Sequence, residues 1–112
     1  MPMITLTTSA NIAGQEDALK AGLGKAIALL PGKSEAHLML SLTGNIPMYF
    51  RGEACDAAFL EVSCFGHGKP EAYEAMTGAV CGLLAQTLAL DPANIYIKYD
   101  ETTNWGWNGH NL

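Results

Sequence analysis

Residues 57–99, AAFLEVSCFGHGKPEAYEAMTGAVCGLLAQTLALDPANIYIKY, read as strand, helix, strand. Ala57 to Phe65 carries Phe59, Val62 and Phe65 in a strand-like run, and Gly66 to Pro70 breaks it. From Glu71 to Leu90, Ala72, Met76, Ala79, Val80, Leu83, Leu84, Thr87 and Leu88 recur at helical spacing and trace one broad face. Asp91-Pro92-Ala93-Asn94 ends that helix, and Ile95 to Tyr99 alternates as a strand.

The N-terminal half follows the same plan. Met3 to Thr8 alternates apolar and hydroxyl side chains and predicts a strand, which Asn11 to Gly14 interrupts. Between Gln15 and Leu30, residues Ala18, Leu19, Leu23, Ala26, Ile27 and Leu30 fall at helical spacing. Glu16 and Asp17 complement the positive end of that helix, and Pro31-Gly32 stops it. His37 to Thr43 predicts a second strand, with Leu38, Leu40 and Leu42 set against His37, Met39 and Ser41. Gly44-Asn45 turns the chain, and Ile46 to Phe50 forms a short extension before Arg51-Gly52. The tail, Asn104 to Gly109, sets two large aromatics among small polar residues.

The expected fold is α+β: one domain over 1–112 with internal pseudo-repeats at about 2–50 and 57–107. Each helix serves as the crossover of a β-α-β unit. Side by side, the two units give a four-stranded mixed sheet with both helices on one face. The other face lies bare. Alternating apolar residues on it would need a partner, which self-association supplies most simply. A chain that is 49% hydrophobic and only 15% charged points the same way.

The net charge of −5 argues against nucleic acid and anionic membranes as partners. No apolar run approaches the length of a membrane span, and no signal-peptide pattern opens the chain, so a soluble cytoplasmic protein is expected. Cys55, Cys64 and Cys81 are odd in number and show no CxxC spacing, which fits buried thiols in a reducing compartment. His37, His67 and His110 are scattered, so neither a metal nor another cofactor is expected.

Pro2 carries the distinctive chemistry. If Met1 is removed, Pro2 becomes a secondary amine on a rigid ring, a group no side chain offers. The reference pKa of an α-amine is near 8, and burial lowers it toward the range of a general base. The plainer reading is a proline that begins a strand, where a missing N–H costs nothing. With Met1 retained, the nitrogen is a tertiary amide without a basic lone pair.

An ordered set of segments carries a resemblance. It comprises Met1-Pro2, Gly32-Lys33, Met48-Tyr49-Phe50-Arg51-Gly52, Phe65-Gly66, Cys81-Gly82-Leu83-Leu84, Tyr96-Ile97-Lys98-Tyr99 and Trp105-Gly106-Trp107-Asn108-Gly109. Across essentially the whole length, the chain resembles the macrophage migration inhibitory factor family of the tautomerase superfamily. The resemblance implies a homotrimer whose three sheets line a channel, with extension strands pairing between subunits and active sites at the interfaces. It also implies keto–enol tautomerisation of phenylpyruvate-like α-keto acids, with Pro2 as general base.

Lys33 would face the proline, pair with the substrate carboxylate or enolate oxygen, and depress the amine pKa. Alternatively, it compensates the helix C-terminus. Phe65 stands where the family uses a backbone N–H to bind substrate. Tyr96 matches a tyrosine that enters the neighbouring subunit's pocket, and Trp105 and Trp107 match the pocket wall. Lys98 replaces a substrate-binding asparagine, and His37 replaces a rim tyrosine. The terminal phenylalanine and the CxxC of some animal members are absent. An alternative on the same scaffold is a non-catalytic trimer that engages a host receptor or binds small aromatic acids. Members of this family are released from cells without a signal peptide.

Overall fold

A computed structural model describes residues 1–112. The chain runs β1 (Pro2–Thr8), α1 (Glu16–Ile27), β2 (Met39–Thr43), β3 (Tyr49–Phe50), β4 (Glu53–Ala54), β5 (Ala58–Phe65), α2 (Pro70–Leu88), β6 (Ile95–Thr102), β7 (Gly106–Trp107) and β8 (His110–Asn111). The main sheet has the order β2-β1-β5-β6. β1 is parallel to β2 and β5 is parallel to β6, while β1 and β5 pair antiparallel and join the two β-α-β units. The result is the expected mixed sheet.

Alternation along the strands decides what is buried. Pro2, Ile4, Leu6 and Thr8 of β1, and Ala58, Leu60, Val62 and Cys64 of β5, point to the helix side and are buried. All of these but Pro2 and Thr8 join Leu19, Leu23, Ala26 and Ile27 of α1 and Met76, Val80 and Leu84 of α2 in one core. The two helices also touch each other, and Gly22 lets α1 approach Leu83 so closely that a β-carbon there would strike the leucine side chain. Thr8 is the buried polar exception. Its hydroxyl donates to the Ala57 carbonyl at 2.8 Å and accepts from the Ala10 N–H at 3.1 Å, so its burial costs no unmet hydrogen bond.

Several local expectations shift. Ala18 and Ala79, counted on the apolar faces of the helices, are exposed. α1 closes three residues before Leu30, which still reaches the core through a tightened turn of i→i−3 bonds. His37 sits in a 3-10 turn over Glu35–His37, and β2 begins two residues later.

The bare face differs from expectation in character. Cross-strand register places Ser41, Thr5, Glu61 and Lys98 in its middle row, between Met39–Met3–Ser63–Asp100 and Thr43–Thr7–Phe59–Tyr96. Hydroxyls and charges hold the centre, with apolar side chains toward the ends. Phe59, Val62 and Phe65 stand together in sequence as one strand-like run. In the sheet, Val62 joins the core while the two phenylalanines share the opposite face.

The extension segments fold back within the chain. β3 pairs with β4 around Arg51-Gly52, and β7 pairs with β8 around Asn108-Gly109. Both central residues of each turn have positive φ, between 55° and 84°, the mirror-image geometry that suits two-residue hairpins. The Asn-Gly pair was a legible signal for the second hairpin.

Candidate active site

Three segments converge at the N-terminal end of β1. Pro2 is fully buried and lies opposite Cys64 of β5. The Met1 carbonyl accepts the Phe65 N–H at 3.1 Å. From the turn after α1, where Gly32 adopts φ +78°, Lys33 sends its Nζ to donate to the Phe65 carbonyl at 2.8 Å. That neutral oxygen is the only acceptor of this half-buried ammonium, and no carboxylate lies within ion-pair distance of it.

Two cavities flank this region. On one side, an open cavity of about 580 Å³ is lined by Met1, Pro2, His37, Met39, Trp105 and Trp107 among others. The His37 and Trp107 rings meet edge to face there, with centroids 6.4 Å apart. A smaller cavity of about 120 Å³ is bounded by Leu30, Lys33, Cys64, Phe65, His67 and Tyr73, with Lys69 at its rim. Burial, and after it the charge of Lys33, holds the Met1 amine below its ordinary value, against an opposing influence of Cys64. Burial pushes the Cys64 thiol up. An amine placed here is therefore biased toward its neutral, basic form.

The structure thus brings together five of the residues expected at the site besides Pro2, namely Lys33, Phe65, His37, Trp105 and Trp107. Tyr96 and Lys98 stand apart. β6 pairs Tyr96 with Phe59 and Lys98 with Glu61, whereas Pro2 lies opposite Cys64, several residues farther along β5. The exposed Tyr96 ring packs on Phe50, centroids 5.1 Å apart. Lys98 bridges Asp100 at 3.3 Å and Glu61 at 3.4 Å, and these partners, Asp100 foremost, raise its pKa. Its charge is thus already neutralised within the chain.

A family model described as macrophage migration inhibitory factor (MIF) matches residues 1–112. The chain belongs to the MIF family. The macrophage migration inhibitory factor of Meriones unguiculatus is 27% identical over 111 residues, covering 97% of this chain and 96% of its own length. The structure of MIF2 from Leishmania major superposes with a TM-score of 0.92 at 26% identity, covering 100% of this chain and 97% of its own. A MIF homologue from Prochlorococcus marinus gives 0.83 at 26% identity, covering 97% of each chain. The MIF fold of these proteins is also that of the tautomerase superfamily. No helix of this MIF-family chain is long and apolar enough to cross a membrane.

One cluster beside the smaller cavity was invisible in sequence. Glu101, near the end of β6, accepts hydrogen bonds from the Gly68 N–H at 2.6 Å and the Tyr73 hydroxyl at 2.5 Å, and lies 3.3 Å from His67 Nδ1. These contacts, the Gly68 N–H foremost, hold its carboxyl down at about 2, against an ordinary 4.5. Burial and the bond to Glu101 in turn push the Tyr73 phenol far up. A depressed carboxyl contributes stability that is fully present above the unfolded value and is lost as pH falls through the folded value. Wild-type protein should therefore lose stability between pH 4.5 and about 2 more steeply than Glu101→Gln. Urea unfolding across that window reads the difference, and parallel curves would refute it.

Proposed function

We propose that this chain is a keto–enol tautomerase of phenylpyruvate-like α-keto acids, in which Pro2, freed by removal of Met1, is the general base. The observation that carries the reading is the buried position of Pro2 beside Lys33, an ammonium without a counter-ion. Removing Met1 places the amine at a fully buried residue next to the same cation. It also takes away the carbonyl that now occupies the Phe65 N–H. That N–H then becomes a donor for substrate.

Pro2 nitrogen takes a proton from the carbon adjacent to the substrate carbonyl. The electron pair of the broken C–H bond forms the carbon–carbon double bond, and the carbonyl π pair moves to the oxygen, where Lys33 or the Phe65 N–H stabilises the growing negative charge. The prolinium returns its proton to that oxygen and gives the enol. Trp105, Trp107 and His37 supply an aromatic wall for the substrate side chain.

The functional unit is a homotrimer, in which Tyr96 and Lys98 of one subunit complete the neighbouring site. The distance of these two residues from Pro2 within one chain supports that arrangement. The polar middle row of the bare sheet face suits a water-filled channel, and the free edges of the short hairpins suit pairing between subunits. Lys98, bound to Asp100 and Glu61, acts there as part of an ion-pair network and adds no second free cation. This reading takes the cytoplasm as the site of action, with release from the cell as a second location.

The test is phenylpyruvate interconversion by protein whose intact mass shows Met1 gone. Turnover is expected, and none from the Met1-free oligomer would overturn the reading. The Lys33→Ala variant adds a signed prediction. Lys33 disfavours a second positive charge, so its loss raises the pKa of the amine. The acid limb of kcat/KM should therefore move to higher pH, and KM should rise. A pH–rate profile with an unmoved limb would show that Lys33 does not tune the base.

A further inference from the structure

The loop Gly66–Lys69 follows directly on Phe65 and walls the smaller cavity. Gly66 adopts φ +91°, a conformation that favours glycine, and at the far end of the loop the Lys69 carbonyl accepts from the Ala72 and Tyr73 N–H groups of α2. Its other anchors come from the end of β6. The Gly66 N–H donates to the Thr102 carbonyl at 2.8 Å. One residue earlier, the Glu101 carboxylate gathers the Gly68 N–H, the Tyr73 hydroxyl and His67, thereby tying the loop to the first turn of α2. Tyr73 is itself held, because its ring lies 4.5 Å from that of Tyr99 and its carbonyl accepts the Tyr99 hydroxyl at 3.0 Å. Lys33 bonds the carbonyl of Phe65, the β5 residue from which the loop starts, and lines the same cavity as the loop.

We propose that Glu101 is a positioning residue for the substrate-binding groups of this site, a role that rests on the tautomerase reading. It fixes the Gly66–Lys69 loop, the wall of the smaller cavity beside Phe65 and Lys33. Without the carboxylate, the loop keeps the Gly66 bond and the bonds of the Lys69 carbonyl to α2 but loses the tie of Gly68 and His67 to β6, so that this wall and the groups it borders lose their fixed position. Misplacing such groups by about 1 Å is enough to cost about 100-fold in rate.

Kinetics of Met1-free Glu101→Ala, Glu101→Gln and Tyr73→Phe test the proposal, with circular dichroism as a check on folding. Glu101→Ala should lower kcat/KM for phenylpyruvate by about 10–100-fold, with the larger share in KM. Glu101→Gln keeps an oxygen that can accept from Gly68 and Tyr73 and should stay within about fivefold of wild type. Tyr73→Phe should reduce kcat/KM several-fold in the wild-type background and leave it unchanged in Glu101→Ala, since the hydroxyl acts through the carboxylate. Wild-type kinetics for Glu101→Ala, or full additivity of Tyr73→Phe with it, would overturn the proposal. If the wild type proves inactive, phenylpyruvate binding decides. A dissociation constant raised about 10-fold or more by Glu101→Ala upholds the positioning role while the tautomerase reading fails. An unchanged constant, or no binding by wild type, overturns it.

Discussion

Replacing Pro2 by alanine in the Met1-free protein is expected to lower kcat for phenylpyruvate by about 10²–10⁴-fold, the usual contribution of a positioned general base. Alanine leaves an amine at the chain start, but a primary one that rotates about its own bond. It can also condense with the substrate carbonyl to form an imine. The proline ring holds the lone pair in one direction, because the residue is packed at the start of β1 against Cys64 of β5. Protein that retains Met1 makes the same test without changing a side chain, since its Pro2 nitrogen is an amide and should be inactive. Steady-state assays of the three forms, with size-exclusion chromatography to show equal assembly, read the result. Equal rates in all three would remove Pro2 from the mechanism.

The second large effect is on stability. Leu60→Ala should destabilise the fold by about 2–5 kcal/mol, the range for deleting a large aliphatic side chain from a closed core. Leu60 is fully buried on the central strand β5, between Leu6 of β1 and Ile97 of β6, where both β-α-β units share its contacts. Such a loss is a large fraction of the roughly 5–15 kcal/mol that holds a small domain together. Urea denaturation measures it, and Leu60→Val, the milder change, keeps the comparison readable if the alanine variant does not fold. A loss below about 1 kcal/mol would mean that the core closes around the deletion.

Much of this could be read from the chain. The strand and helix segments follow from two periodicities, with Ile4 and Leu6 alternating along β1 and Met76, Val80 and Leu84 spaced by four along α2. Their boundaries were less legible. His37 alternates correctly for a strand yet lies in a 3-10 turn, since periodicity cannot distinguish a residue within a strand from one just before it. The site was legible only where its chemistry is local. Pro2 was recognisable as a distinctive terminal amine, and Lys33 only through the family resemblance, which implies a lysine facing that amine.

Glu101 was not legible, because its role comes from three donors brought to it from 28 to 34 residues away, and nothing in its own neighbourhood announces them. The partners of Lys98 were illegible for the same reason. As a sequence residue it is a free cation, whereas in the sheet it is claimed by Asp100 and, across the strand pair, by Glu61.

The sequence by itself determined the element order and the two-fold repeat, and it singled out Pro2 as the candidate base. These depend on local spacing and on single functional groups. Only the tertiary structure decided the antiparallel join of β1 to β5, which sets Pro2 against Cys64 and brings Phe65 to Met1 and Lys33. Strand partner and register are chosen by the burial of both units in one core, a free energy of the whole chain that no short segment encodes.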